Sequence, residues 1–159
     1  MITLKPTFRY WLMKNSLQLL IFTLLLIVAF FWRQSNYIMW GLGLLALILL
    51  FTVMWDFVVL YNIIYIIDIE QIIIKRGVFR RTTNYMEMYR IYDYQKKRHF
   101  IEAALGLMNI VLLSRDVSNP SIIFVGIPNN DAVIPVIRSR VEAEKQKKRI
   151  LEFNNPYIG

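Results

Sequence analysis

Cysteine is absent from this 159-residue chain, which removes disulfide frameworks, thiol redox chemistry and cysteine-based zinc sites together. Histidine occurs once. His99 lies among cations in QKKRHF, the setting of a surface residue, and no second histidine is present to share a metal. Glycine is scarce at six residues, and Gly77 stands alone in IIIKRGVFRR with no Walker-type Gly-Lys-Ser/Thr after it, so a phosphate-cradling loop is not expected. Nothing in the order of the serines, histidine and acids resembles a nucleophilic triad, and Glu142 and Glu144, two apart on an expected helix, point to different faces. These absences predict a chain with no catalytic residues, no cofactor and no metal. Acid is also in deficit: 11 Asp and Glu against 19 Lys and Arg leave a net charge of +8, which calls for an anionic neighbour such as lipid, an acidic protein or nucleic acid.

What the chain has in excess is apolar length. Hydrophobic residues make up 57% of it, high for a soluble domain. No ionisable side chain occurs from Asn15 to Trp32 or from Gln34 to Trp55. Runs of this kind match the roughly 17 to 25 residues a helix needs to cross about 30 Å of hydrocarbon. Only Arg33 and its neighbours separate them, which predicts a tight helical hairpin with spans at about 15–32 and 36–57. Tyr10, Trp11, Trp32, Tyr37, Trp40, Trp55 and Tyr61 mark the edges as interfacial aromatics do. Lys5, Arg9 and Lys14 precede the first run and most other cations follow the second, so both termini are expected on the cytoplasmic side of the membrane. Asp56 falls at the inner end of the second span, within reach of water.

Beyond Tyr61 the texture becomes that of short strands. YNIIYIID is too short to cross a bilayer and is rich in β-branched and aromatic residues; QIIIKRGVFRRTTNY reads as two strands turned at Gly77. EMYRIYDYQ, GLMNIVLLSRD and SIIFVGI follow at short spacing, with turn signals at Asn119-Pro120 and Pro128-Asn129-Asn130, and together they predict a curled sheet or barrel. A closing helix is expected over about 131–153, with Asn130 as its cap, Val133, Val136, Ile137 and Val141 on its buried stripe, and EAEKQKKR projecting into solvent.

Two apolar helices, the IIIKRGVFRR hairpin, the RIYDY strand, the AALGL turn and FVGIPN before a terminal helix resemble the bacterial pleckstrin-homology-like family of YdbS-type membrane proteins. Asp68 stands where that family usually has threonine, and Met108 where it often has a second glycine. The resemblance implies a membrane α-helical hairpin (residues 1–61) followed by a mostly-β cytoplasmic domain (62–159), a PH-like partly open barrel of about seven strands capped by the C-terminal helix. Function is then expected to be non-enzymatic: a binding or assembly module at the cytoplasmic face, with a subunit role in a transport or envelope-protection complex as the alternative. Lys75, Arg76, Arg80 and Arg81 around the hairpin turn, with Lys96, Lys97 and Arg98 further on, are the candidate residues for anionic lipid headgroups or an acidic partner. Membrane-protein partners or a homo-oligomer are expected, and nucleic acid is not, because the aromatics fall in strands that need a core.

Overall fold

The computed structural model describes residues 1–31, 36–116 and 119–153. The expected turn at Arg33, with Trp32 and Ser35, lies outside them. Seven strands form two antiparallel sheets: β1 (Ile2–Leu4), β2 (Ile64–Ile67), β3 (Gln71–Arg76) and β4 (Thr82–Glu87) in one, and β5 (Ile91–Lys97), β6 (Leu107–Ser114) and β7 (Ser121–Pro128) in the other, each in sequence order. Among the described residues the α-helices are α1 (Phe8–Lys14), α2 (Ser16–Phe31), α3 (Asn36–Tyr61), α4 (Phe100–Ala104) and α5 (Val133–Phe153).

The first strand is an element that sequence reading missed. Three residues at the extreme N-terminus pair with β2, Ile2 opposite Ile67 and Leu4 opposite Tyr65, so the whole helical hairpin is inserted between two neighbouring strands of one sheet. A three-residue strand carries almost no periodic signal, and only the complementary edge of β2 gives it a place.

The hydrophobic core lies between the sheets and α5. Tyr65, Ile67, Ile72 and Ile74 alternate inward from β2 and β3, and Met108, Ile110, Leu112, Ile122 and Phe124 do so from β6 and β7. The Tyr65 and Phe124 rings meet at 4.6 Å across the gap between the two sheets. Val133, Ile137 and Val141 of α5 close the open side at the helical spacing foreseen, with Ile134 packed beside them, whereas Val136, expected on the same stripe, is only half-buried and outside the core cluster. Asn130 Oδ1 accepts the Ala132 N–H at 3.0 Å, and the regular helix then starts at Val133, two residues later than expected. Pro135 falls in its first turn, where its missing N–H costs nothing.

Two expectations need correction. EMYRIYDYQ is not one strand: β4 ends at Glu87, and Met88–Arg90 make a 3-10 turn before β5. Met86 and Met88 are buried at strand spacing, but the next buried residue is Ile91, three further on. That break in period marks the corner where the chain passes from one sheet to the other. EAEKQKKR, expected to project into solvent, does so on one face, with Glu142, Ala143 and Gln146 exposed, but its other face is docked. Glu144 is only 8% exposed, Lys147 Nζ pairs with Glu70 Oε1 at 2.8 Å, and Lys148 Nζ sits 3.5 Å from the Tyr89 ring centroid. The partners lie about 60 to 80 positions away in the chain, beyond any local pattern.

In the helical part, α3 is long and apolar enough to cross a membrane. Its 26 residues span about 39 Å, whereas the 16 of α2 reach only about 24 Å. The bent pair of α1 and α2, meeting at 61°, reaches a spanning length only when counted together. Asn15 sits at that bend, 1% exposed, with both its backbone N–H and its side-chain amide donating to the Trp11 carbonyl at 3.0 Å.

Candidate functional site

Strand order fixes which loops share an end. Antiparallel connections alternate, so the hairpin between β1 and β2, the β3–β4 loop and the β5–β6 segment containing α4 lie at one end of the barrel, with the start of α5 beside them. Register agrees: Ile64 faces Lys75, Arg76 faces Thr82, Lys97 faces Asn109 and Leu107 faces Pro128, all at this helical end. The opposite end carries the β2–β3 and β4–β5 connections, with Asp68, Glu70, Glu87 and Asp116. The basic candidates therefore share the end from which α1 to α3 emerge, while the acids of the opposite end are matched by cations such as Arg90 and Lys147.

The first basic group is organised by Gly77. Its φ of +111° turns the chain out of β3 into the five-residue loop Gly77–Arg81, a conformation that costs glycine little. The loop folds Arg81 back toward β3. Lys75, Arg76, Gly77 and Arg81, with Asn62, Ile64 and Thr83, line an open cavity of about 320 Å³ at the root of α3. Arg76 Nη2 also approaches the Ile123 carbonyl at 3.5 Å, which braces it against β7. Arg80 is exposed in the same loop but is not part of the lining.

The second group is not one site. Lys96 donates to the Asp131 carboxylate at the start of α5, and that ammonium holds the aspartate below its ordinary pKa. Lys97 and Arg98 remain exposed where β5 runs into α4. His99 precedes α4; its backbone N–H donates to Glu102 Oε2 at 2.8 Å. Sequence reasoning took Lys96, Lys97 and Arg98 as one basic run and could not see that one of the three cations is already engaged.

Around α1, which no motif announced, the helices are fastened to the barrel. The Thr7 N–H and hydroxyl both donate to the Gly126 carbonyl, at 2.9 and 3.2 Å. Gly126 N–H donates to Asn109 Oδ1 at 2.8 Å, and Asn109 Nδ2 to the buried Glu102 carboxylate at 2.7 Å. Tyr10 lies directly over Gly126, and burial, with the nearby Glu102 charge, raises its phenol pKa. Toward the hairpin, Trp11 Nε1–H donates to the Val53 carbonyl at 3.2 Å, its ring packs edge-on against Phe57 at 5.5 Å, and Lys14 pairs with Asp56 at 3.0 Å. α1 thus bridges the barrel and α3.

The loop and α3 also touch directly. Phe79 stacks on Trp55, 5.7 Å between centroids, six residues and about 9 Å before the end of the helix. The bacterial PH domain family matches residues 16–152, from the first residue of α2 through α5. The chain belongs to the bacterial PH domain family. The matched region runs from α2 and α3 through β2 to β7 and into α5, so the two packed sheets with the C-terminal helix are that domain, while β1 and α1 precede the match. No curated protein and no solved structure gives a significant match. PH domains are in general binding modules rather than catalysts, so the site is read as a binding surface.

Proposed function

We propose that this bacterial PH domain is a non-enzymatic module anchored in the cytoplasmic membrane by α2 and α3, and that it holds anionic headgroups in the cavity of Lys75, Arg76 and Arg81. The observation that carries the reading is the place of the cavity: it opens at the root of α3, beside the Trp55–Phe79 stack. Lys14 and Asp56 form an ion pair at the same level of the helix, where a charged pair needs headgroups or water rather than hydrocarbon. Each cation near an anionic leaflet gains about 1 kcal/mol. Arg80 would meet phosphates as the loop does, while Lys96 would serve Asp131 instead.

The test uses the full chain, because a domain cut at Asn62 would lose β1 and α1. In neutral detergent, short-chain phosphatidylglycerol should raise the unfolding midpoint more than phosphatidylcholine, and the gain should fade as salt screens charges beyond about 10 Å. Changing Lys75, Arg76 and Arg81 together to Gln should weaken the apparent affinity on the order of a hundredfold. Changing Arg115 and Lys145 to Gln, away from the cavity, should leave it nearly unchanged. Equal losses from both sets would mean unspecific attraction. No stabilisation at all would leave a membrane-protein partner, as in a transport or envelope-protection complex, as the occupant.

Orientation in this reading follows from the cations flanking the helices, which place both termini inside. A reporter that works only in the cytoplasm should be active when fused after Ile158, and a cysteine replacing Ser35 should label from outside. Reporter activity confined to the periplasm would overturn the orientation.

A further inference from the structure

The cavity explains the cations of the β3–β4 loop but not the apolar residues beside them. Phe79 is 87% exposed, Phe100 90% and Ile101 59%, and all three lie at the helical end of the barrel. Phe8 and Leu12 of α1, also exposed, extend the same aspect. Phe100 and Ile101 open α4, separated only by His99 from the exposed Lys97 and Arg98; Phe79 is followed by Arg80 and Arg81. An apolar tip with cations behind it is the pattern of a segment that enters the headgroup boundary, rings toward acyl chains and charges toward phosphates.

Two contacts tie these tips to the helices. Phe79 already lies on Trp55 of α3, and Arg9 of α1 donates to the Leu105 carbonyl at the end of α4 at 3.3 Å. The acids nearby are engaged: Asp56 by Lys14, Asp131 by Lys96, and Glu102 by Asn109 and the His99 N–H. This end thus presents apolar tips and cations, with its nearest carboxylates paired.

We propose that the β3–β4 loop and α4 are a two-point membrane wedge: Phe79, Phe100 and Ile101 enter the cytoplasmic leaflet on either side of the hairpin and fix the barrel in one pose against the bilayer. The proposal rests on the reading of α2 and α3 as membrane-embedded. With the tether in place, insertion is effectively intramolecular, so each tip needs little affinity of its own.

The native chain has no cysteine, so single replacements report position without background. Phe79→Cys, Phe100→Cys, Ile101→Cys, Leu47→Cys in the middle of α3 and Ile69→Cys at the far end are each labelled with an environment-sensitive fluorophore. The full chain is reconstituted in vesicles of phosphatidylcholine and phosphatidylglycerol carrying lipids spin-labelled high on the acyl chain to report on the tips, or near the chain end to report on Leu47. Strong quenching and blue-shifted emission are expected at Phe79, Phe100 and Ile101, and neither at Ile69. Omitting phosphatidylglycerol should reduce quenching at the tips less than twofold, because the tether and apolar rings persist without anionic lipid. Quenching at Leu47 but not at Phe100 and Ile101 overturns the wedge while leaving the anchored reading intact. No quenching at Leu47 overturns both, and quenching at Phe79 alone reduces the wedge to the loop and overturns the proposal as stated.

Discussion

Replacing Gly126 with valine should detach α1 from the barrel and lower the stability of the solubilised chain by about 3 kcal/mol or more, the range of severe packing and strain defects. Two physical terms act together. Gly126 has φ +60°, a region that β-branched residues populate poorly. A Cβ there would also stand 2.2 Å from Cγ, 2.5 Å from Cβ and 2.7 Å from Cδ1 of Tyr10. Rotation about χ1 could move Cγ and Cδ1, but Cβ is fixed to the α1 backbone, so no change of rotamer clears it and the helix itself must move. Moving it breaks the two Thr7 bonds to the Gly126 carbonyl and opens the Asn109–Glu102 network to water or leaves it unpaired. At about 2 to 4 °C per kcal/mol for a chain of this size, the thermal midpoint should fall by roughly 6 to 12 °C. Placed on a Tyr10→Gly background, which removes the Tyr10 Cβ as well as the ring, Gly126→Val should cost distinctly less, since only backbone strain remains. An unchanged midpoint, or full additivity of the pair, would mean that Tyr10 and Gly126 are not in contact.

Gly77→Val should be comparably damaging but local. With φ +111°, a Cβ at this position would lie 2.0 Å from the Arg80 carbonyl oxygen. Both atoms are fixed to the backbone, so the loop has to be rebuilt rather than repacked. We expect a loss of about 3 kcal/mol, with the Arg76–Thr82 and Lys75–Thr83 pairs fraying first and phosphatidylglycerol losing its stabilising effect as Arg81 leaves the cavity. Hydrogen exchange at the Thr82 and Thr83 amides resolves this from global unfolding: their protection should drop while that of β6 persists. Parental exchange at both threonines would show that the loop accepts a side chain at position 77 and that its geometry differs from that described.

How much of this was legible beforehand follows from where each signal resides. The alternation of Ile72 and Ile74, and of Ile110 and Leu112, lies within single strands, so composition and period placed β3 and β6 nearly where they are. The Gly77 turn was legible for the same reason: positive φ is a property of one residue. The cations at positions 75, 76 and 81 were named as a group, yet their convergence depends on the loop folding back, and Lys96 belongs elsewhere because Asp131 lies 35 positions away.

The sequence by itself determined the apolar helices, the strand-forming segments and the terminal helix, because each depends on residue type or local period. Only the tertiary structure decided that Ile2–Leu4 completes the first sheet, that α1 is a clamp across Gly126 and α3, and that Phe79, Phe100 and Ile101 come to the same end. These are pairings between segments separated by roughly 20 to 120 positions. Their energy comes from edges, rings and carbonyls that meet only after the two sheets have closed, so no window of sequence contains it.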